Sequence, residues 1–415
     1  MRGTLTPPPD KSVSHRAAML GAMSQGGTNV RNYLRAADTH STLAAMRRIG
    51  ARVEVNGGDI EIGGVGLRGA EPGSIDVGNA GTLLRILPGW LAGQGRGRWT
   101  LDGDESIRGR PVDRVAEPLR LMGAMVECRD GRLPPLTIEG GELDGIRYEL
   151  PVASAQVKSC VLLAGLLAGG ETVVVERTPS RDHTERMLVA AGAELSSQDG
   201  VITVRGAERL ELPDVVVPGD FSSAAFWVAA ATLVPRSEVR LEDVGLNPTR
   251  IGLLRVLERM GASAAVESRR MVGMEPVAEL IVRHASLSAT TVEAGEVPLV
   301  IDELPLVALL GAFAEGTTVV TGASELRHKE SDRIATVVEG LRALGAEIEA
   351  RPDGFAVEGT GGLRGGVLAA AGDHRLAMLG AVAGLASREG VELHGAEAAN
   401  VSYPGFFRDL DLVTP

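Results

Sequence analysis

Five phrases of one pattern recur along the chain: MRRIGARVEV (46–55), LRLMGAMVEC (119–128), LVAAGAELSS (188–197), LERMGASAAV (257–266) and LRALGAEIEA (341–350). Each joins the tail of an amphipathic helix to a strand through Gly-Ala, and glycine is the residue a left-handed helix C-cap favours. Gly50, Gly123, Gly192, Gly261 and Gly345 stand 73, 69, 69 and 84 residues apart. That interval is too long for a solenoid repeat and fits a small α/β module.

Each module also holds an earlier, more apolar helix with a polar start: after Ser12, around Asn79 to Thr82, and after Ser154, Ser222, Asp302 and Asp373. Stretches such as SSAAFWVAAATLV and DELPLVALLGAFAEG are apolar on most sides and belong in a core. Polar N-caps account for the Ser and Asp residues without any function. Six buried helices against five Gly-Ala phrases leave one module short. The chain stops soon after SYPGFFRDLDLV (402–413), where a sixth amphipathic helix would run, and the missing strand is expected from the N-terminal RGTLTPP. The expected class is α/β (α+β), with helices covered by sheets. A chain of 415 residues can bury two cores. Two domains of three repeats each are expected, 12–218 being inserted into a discontinuous domain of 1–11 and 219–415.

The net charge of −12 repels polyanions, so no nucleic-acid partner is expected and any anion site must be local. Two cysteines, Cys128 and Cys160, provide neither a disulfide framework nor clustered metal ligands. No segment approaches a membrane span, and no leader-like run opens the chain; a cytoplasmic setting is expected. Of the 42 basic residues three are lysine, Lys11, Lys158 and Lys329, and 39 are arginine. Where arginine has replaced lysine almost everywhere, a surviving lysine suggests a need for a compact ammonium. Chance would account for one such residue; all three lie in polar, motif-like segments.

Helix N-termini attract phosphate and carboxylate. Lys11 and Arg16 flank the first buried helix, and Arg375 follows His374 in GDHRLAMLG (372–380). In GNAGTLLRILPG (78–89), Gly81 permits close approach of a ligand, Thr82 can cap, and Arg85 lies three residues on. The later helices open with SIRGRPVDR (106–114), PSRDHTERM (179–187), NPTRIG (247–252) and LRHKESDRIA (326–335). In the last, the i, i+4 spacing puts Lys329 and Arg333 on one helical face beside Glu330. A solvated, salt-bridged helix start accounts for any single charged run. If the modules pack pseudo-symmetrically, these openings lie around one cleft.

The segments PPDKSVSHRA, GNAGTLLR, SIRGRPVDR, VASAQVKSCVLLAGL, RDHTERML, IDELP, ELRHKESDRI and GDHRLAM, in this order over nearly the whole chain, resemble the signatures of the 5-enolpyruvylshikimate-3-phosphate synthase family. The resemblance implies two domains of βαβαββ units forming an inside-out α/β barrel, with an active site in the interdomain cleft. It implies transfer of the enolpyruvyl group of phosphoenolpyruvate to the 5-hydroxyl of shikimate 3-phosphate, with phosphate released. The enzyme would be a cytoplasmic monomer with no cofactor and no metal.

By motif, Lys11 resembles a catalytic lysine that contacts both substrates. Ser12, Arg16, Ser154, Ala155, Gln156, Arg181, Asp302 and Lys329 match the shikimate 3-phosphate side. Gly81, Thr82, Arg110, Gln156, Arg333 and Arg375 match the phosphoenolpyruvate side. Addition and elimination through a tetrahedral ketal needs a base for the hydroxyl and an acid for the methylene carbon. Asp302 resembles the proton acceptor, Glu330 its companion carboxylate and His374 a support; which group serves which step stays open, and Asp302 could instead cap its helix. Lys158 is either an ordinary helix-face residue or a substrate-proximal support. Glyphosate competition is implied by Gly81 and Ala155. Departures are Ile86 where many members have proline, Val401 where some have lysine, and Glu325 where some have asparagine. The alternative acceptor, UDP-N-acetylglucosamine, is disfavoured by Glu105 where that related family carries a loop cysteine. A non-catalytic repeat protein with an anion-binding surface would not explain why the modules differ so sharply in their polar residues.

Overall fold

In all five Gly-Ala phrases the glycine ends its helix in the left-handed region, with φ of +101° at Gly50, +99° at Gly123, +87° at Gly192, +89° at Gly261 and +94° at Gly345. The following alanine N–H reaches back to the carbonyl five residues earlier, from Ala51 to Met46 at 3.0 Å and from Ala346 to Leu341 at 2.9 Å. The glycine N–H bonds the carbonyl three residues back, as Gly50 does to Arg47 at 3.1 Å. This double bond pattern is a Schellman cap, and it turns each helix directly into a strand.

The computed structural model describes residues 1–414. The chain forms two compact units: a terminal unit of Met1–Pro8, Pro218–Met271 and Pro276–Pro415, and an inserted unit of Pro9–Val217 with Val272–Glu275. Each has its own hydrophobic core.

Among the described residues, five four-stranded sheets share one strand order. In one, Gly73–Asp76 runs parallel to Arg98–Asp102, which pairs antiparallel with Leu133–Glu139, which pairs antiparallel with Met125–Arg129. The helix between the two parallel strands, Gly81–Ala92, is almost wholly buried, and the capped helix Asp113–Leu121 precedes the hairpin. A further parallel pair, Gly366–Ala369 with Val391–His394, brackets the buried helix His374–Ala386; the helix Phe406–Val413 follows.

Two edge strands are exchanged relative to this plan. Arg2–Leu5 leads into the helix Lys11–Met23 and the strand Gly27–Arg31, yet it pairs parallel with Glu238–Gly245. Val215–Val216 leads into the helix Phe221–Leu233 and Glu238–Gly245, yet it pairs parallel with Gly27–Arg31. The N-terminal strand therefore completes the first module of the terminal unit, which corrects the expectation that it serves the last one. An open edge of N–H and C=O groups can be completed by any strand that reaches it.

The buried helices also correct the expected starts. Asp10, not Ser12, caps Lys11–Met23, its carboxylate accepting from the Val13 N–H at 2.9 Å. Asp220, not Ser222, caps Phe221–Leu233. Ser154 and Asp373 cap as expected, whereas Gly81–Ala92 and Leu304–Phe313 have no side-chain cap. Among the described residues no helix is long and apolar enough to cross a membrane.

Candidate active site

In the inserted unit, the helix Ala155–Gly165 lies against Gly81–Ala92. A Cβ at Gly89 would lie 2.0 Å from the Cys160 carbonyl oxygen, so only glycine lets the helices approach this closely. That approach brings their N-terminal turns together. Arg85 Nη1 donates to Gln156 Oε1 at 3.3 Å, and Gln156 Nε2 donates to Thr82 Oγ1 at 3.3 Å. Arg110 Nη2 donates to Asn79 Oδ1 at 2.6 Å and to Ser106 Oγ at 3.1 Å. Gly81 sits at the focus: a Cβ there would stand 3.1 Å from Arg85 Nη1 and 3.1 Å from Arg110 Nη1.

The first helix of the unit supplies the remaining cations. Lys11 Nζ donates to Asp38 Oδ2 at 3.1 Å. Arg16 is buried; its Nε donates to Thr184 Oγ1 at 2.7 Å, Nη1 to the Ser12 carbonyl at 3.1 Å and Nη2 to Ser159 Oγ at 3.1 Å. Arg181 Nη1 donates to Ser12 Oγ at 3.4 Å. His15, four residues beyond Lys11 and fully buried, meets Thr42 Oγ1 through Nδ1 at 2.6 Å. Burial, then Lys11 and Arg16, push its pKa well below 6.5, so the ring is neutral.

In the terminal unit, three cations converge on Asp302. Its Oδ1 lies 3.4 Å from Arg333 Nη1 and 3.5 Å from Lys329 Nζ, and its Oδ2 lies 3.5 Å from Arg375 Nη2. Arg333, 1% exposed, also donates through Nε to Asp373 Oδ2 at 2.8 Å and through Nη2 to Glu330 Oε2 at 2.7 Å. Burial alone would lower the Arg333 pKa; Asp373 and Glu330 outweigh it and hold the guanidinium protonated. Burial likewise works against ionised Asp373, but Arg333 overcomes it and keeps the carboxyl below its ordinary range. Asp373 also accepts the Arg375 N–H at 2.9 Å and lies 4.0 Å from His374 Nδ1. Arg375 Nη1 further approaches Glu303 Oε1 at 3.9 Å.

Within the inserted unit the structure groups Gly81 with Thr82, Gln156 and Arg110, and Ser12 with Arg16 and Arg181; Ser154 and Ala155 open the helix that carries Gln156. Lys11 is tied to Asp38. Within the terminal unit it groups Asp302, Lys329, Glu330, Arg333 and Arg375, with His374 beside Asp373. One expected geometry is corrected: Lys329 and Arg333 do not share a helical face. The helix starts at Arg333, capped by Asp332, which accepts the Ile334 and Ala335 N–H groups at 3.1 Å each. Lys329 instead reaches Asp302 from the preceding loop. The helix that follows Asp302, Leu304–Phe313, has no side-chain cap, and the Asp302 carboxylate faces Lys329, Arg333 and Arg375. Arg85, Asp38, Glu303 and Asp373 belong to these groups but were not among the expected site residues. Arg85 was accessible from its i+4 spacing to Gly81; Asp38, 27 residues from Lys11, gave no local signal.

Repeated α/β modules that gather guanidiniums in one unit and carboxylates held among cations in the other define an enzyme for anionic substrates with proton-transfer chemistry. The EPSP synthase (3-phosphoshikimate 1-carboxyvinyltransferase) family profile matches residues 1–410. The 3-phosphoshikimate 1-carboxyvinyltransferase of Synechococcus sp. (strain JA-3-3Ab) is 49% identical over 100% of this chain and 95% of its own. That of Bacillus velezensis is 48% identical over 99% and 97%. The solved structure of EPSP synthase from Acinetobacter baumannii superposes with a TM-score of 0.87 at 41% identity, covering 99% of this chain and 95% of that one. The enolpyruvyl transferase NikO of Streptomyces tendae shares the fold, with a TM-score of 0.77 at 18% identity over 99% and 94% of the chains. The chain belongs to the EPSP synthase family.

Proposed function

We propose that this chain carries out its family's reaction, transferring the enolpyruvyl group of phosphoenolpyruvate to the 5-hydroxyl of shikimate 3-phosphate with release of phosphate. The observation that carries the assignment of chemistry is Asp302, a carboxylate with Lys329, Arg333 and Arg375 all within 3.5 Å. A base beside anion-binding cations suits a hydroxyl that must lose its proton next to a phosphorylated donor. Asp302 accepts that proton, Glu330 and Lys11 share the proton transfers at the donor carbon, and His374 supports the phosphate or the proton traffic. Lys11, Gly81, Thr82, Arg110, Gln156, Arg333 and Arg375 bind phosphoenolpyruvate. Lys11, Ser12, Arg16, Ser154, Ala155, Gln156 and Arg181 bind shikimate 3-phosphate, joined by Asp302 and Lys329.

Both half-sites serve one substrate pair, the inserted and the terminal unit each forming a domain of three repeats in an inside-out barrel. The five sheets of one strand order support the repeats. The enzyme works as a cytoplasmic monomer. The test is phosphate release from phosphoenolpyruvate, expected only with shikimate 3-phosphate present; turnover with UDP-N-acetylglucosamine alone would overturn the assignment.

A further inference from the structure

Lys158 is fully buried in the helix Ala155–Gly165. Its three N–H donors meet three acceptors: Glu185 Oε1 at 2.7 Å, Glu176 Oε1 at 2.8 Å and the Ser180 carbonyl at 3.2 Å. Glu176 uses its other oxygen to accept the Ser180 N–H at 3.1 Å and the Ser180 hydroxyl at 2.7 Å. One ammonium thus ties down the segment from residue 176 to residue 185 at three points. Inside that segment lie Arg181, which reaches Ser12, and Thr184, which accepts from Arg16 and bonds Ser159 at 2.6 Å.

We propose that Lys158 is a positioning residue for the shikimate 3-phosphate side of the site: with Glu176 and Glu185 it fixes the segment that presents Arg181 and Thr184, without touching substrate. The inference rests on the functional assignment above for its substrate, but its geometry stands alone. It also explains the lysine. Three acceptors converge on a single atom, which a tetrahedral ammonium satisfies; a planar guanidinium spreads its donors over a fork and cannot bring three to one point. In a chain where arginine fills almost every basic position, that convergence requires lysine. Breaking it exposes the second half of the design: two buried carboxylates lose their counter-charge, and Glu185, whose Oε2 has no hydrogen-bond partner, is held mainly by the ammonium.

The experiment compares the full-length parent with Lys158→Arg, Glu176→Gln and the charge-balanced Lys158→Met/Glu185→Gln. Two measurements are made: steady-state kinetics with each substrate varied, and hydrogen exchange of the backbone amides of residues 176–185. Faster exchange in that segment is expected in every variant, together with a KM for shikimate 3-phosphate raised about tenfold or more, while the KM for phosphoenolpyruvate stays within about twofold of the parent. Glu176→Gln keeps the lysine and the fold, so it carries the test if the Lys158 variants do not fold. Unchanged exchange and KM values in folded variants would overturn the proposal, as would equal rises in both KM values. A parent that shows no turnover would defeat the functional assignment instead, and the exchange data would still decide whether Lys158 fixes the segment.

Discussion

Asp373→Asn isolates the central ion pair of the terminal unit. Asparagine caps a helix about as well as aspartate, so the roughly 1 kcal/mol a cap contributes is retained. What disappears is the carboxylate facing Arg333, in a pair where the aspartate side chain is 0% and the arginine 1% exposed. Removing one partner of a buried pair costs about 3–5 kcal/mol. Arg333 keeps Glu330 at 2.7 Å and Asp302 at 3.4 Å, so the loss should fall at the lower end, about 3 kcal/mol. The pH dependence has a definite sign. The Asp373 pKa is lowered in the folded state, so its contribution is complete above the ordinary value of 3.8 and is lost as pH falls through the folded value. The parent and the variant should therefore differ at neutral pH and converge in acid.

The assay must see one unit only, because two cores need not unfold together. The chain has three tryptophans, and Trp227 alone belongs to the terminal unit, fully buried and donating to Tyr403 Oη at 3.1 Å. In a Trp90→Phe/Trp99→Phe background, Trp227 fluorescence reports the unfolding of that unit in urea, which leaves ion pairs unscreened. A loss below about 0.5 kcal/mol at neutral pH, or a gap that does not shrink in acid, would refute the ion-pair reasoning.

Gly81→Ala places a methyl 3.1 Å from both Arg85 Nη1 and Arg110 Nη1; the backbone tolerates it, so the expected result is a KM for phosphoenolpyruvate raised about tenfold, ~1.4 kcal/mol, at near-parental stability, read by kinetics and urea unfolding. Lys11→Arg conserves charge but widens the head group 3.1 Å from Asp38; kcat/KM should fall at least about tenfold, and near-parental kinetics would remove the rare-lysine argument at this position. His15→Asn tests the buried imidazole. The unfolded chain takes up a proton below pH 6.5 while the folded ring does not, so parental stability should fall from 6.5 downward by up to ~1.4 kcal/mol per pH unit; the variant should flatten that slope in urea titrations of the inserted unit.

The parts of this fold legible in the sequence are those set by neighbouring residues. A Gly-Ala pair at the end of an amphipathic helix favours a left-handed cap, and all five Gly-Ala phrases adopt it. The exchanged strands were not legible, because pairing Arg2–Leu5 with Glu238–Gly245 spans more than half the chain, and short parallel edge strands carry no mark of their partner. The site divides in the same way. Gly81, Thr82 and Arg110 announce themselves as polar or glycine residues at helix openings. The carboxylates that pair with the site's cations, Asp38 with Lys11 and Asp373 with Arg333, lie 27 and 40 residues away in sequence and emerge only when the chain is folded.

The abundance of arginine shows why residue type alone cannot mark a site. In three of the Gly-Ala phrases an arginine in the last helical turn reaches over its own cap to the strand beyond: Arg47 to the Val53 carbonyl at 2.9 Å, Arg120 to Val126 at 2.7 Å and Arg342 to Ile348 at 2.7 Å. These guanidiniums staple a helix to its strand and are repeated with the module. Arg110 and Arg333 differ, because side chains rather than backbone carbonyls receive these donors: Asn79 and Ser106 in one case, Asp302, Glu330 and Asp373 in the other. A guanidinium satisfied by a backbone carbonyl of its own module has a structural task that any module can copy. One held by side chains that differ from module to module, as Arg110 and Arg333 are, has partners that no other module supplies, so the partners and not the residue type distinguish arginines in a chain that uses both.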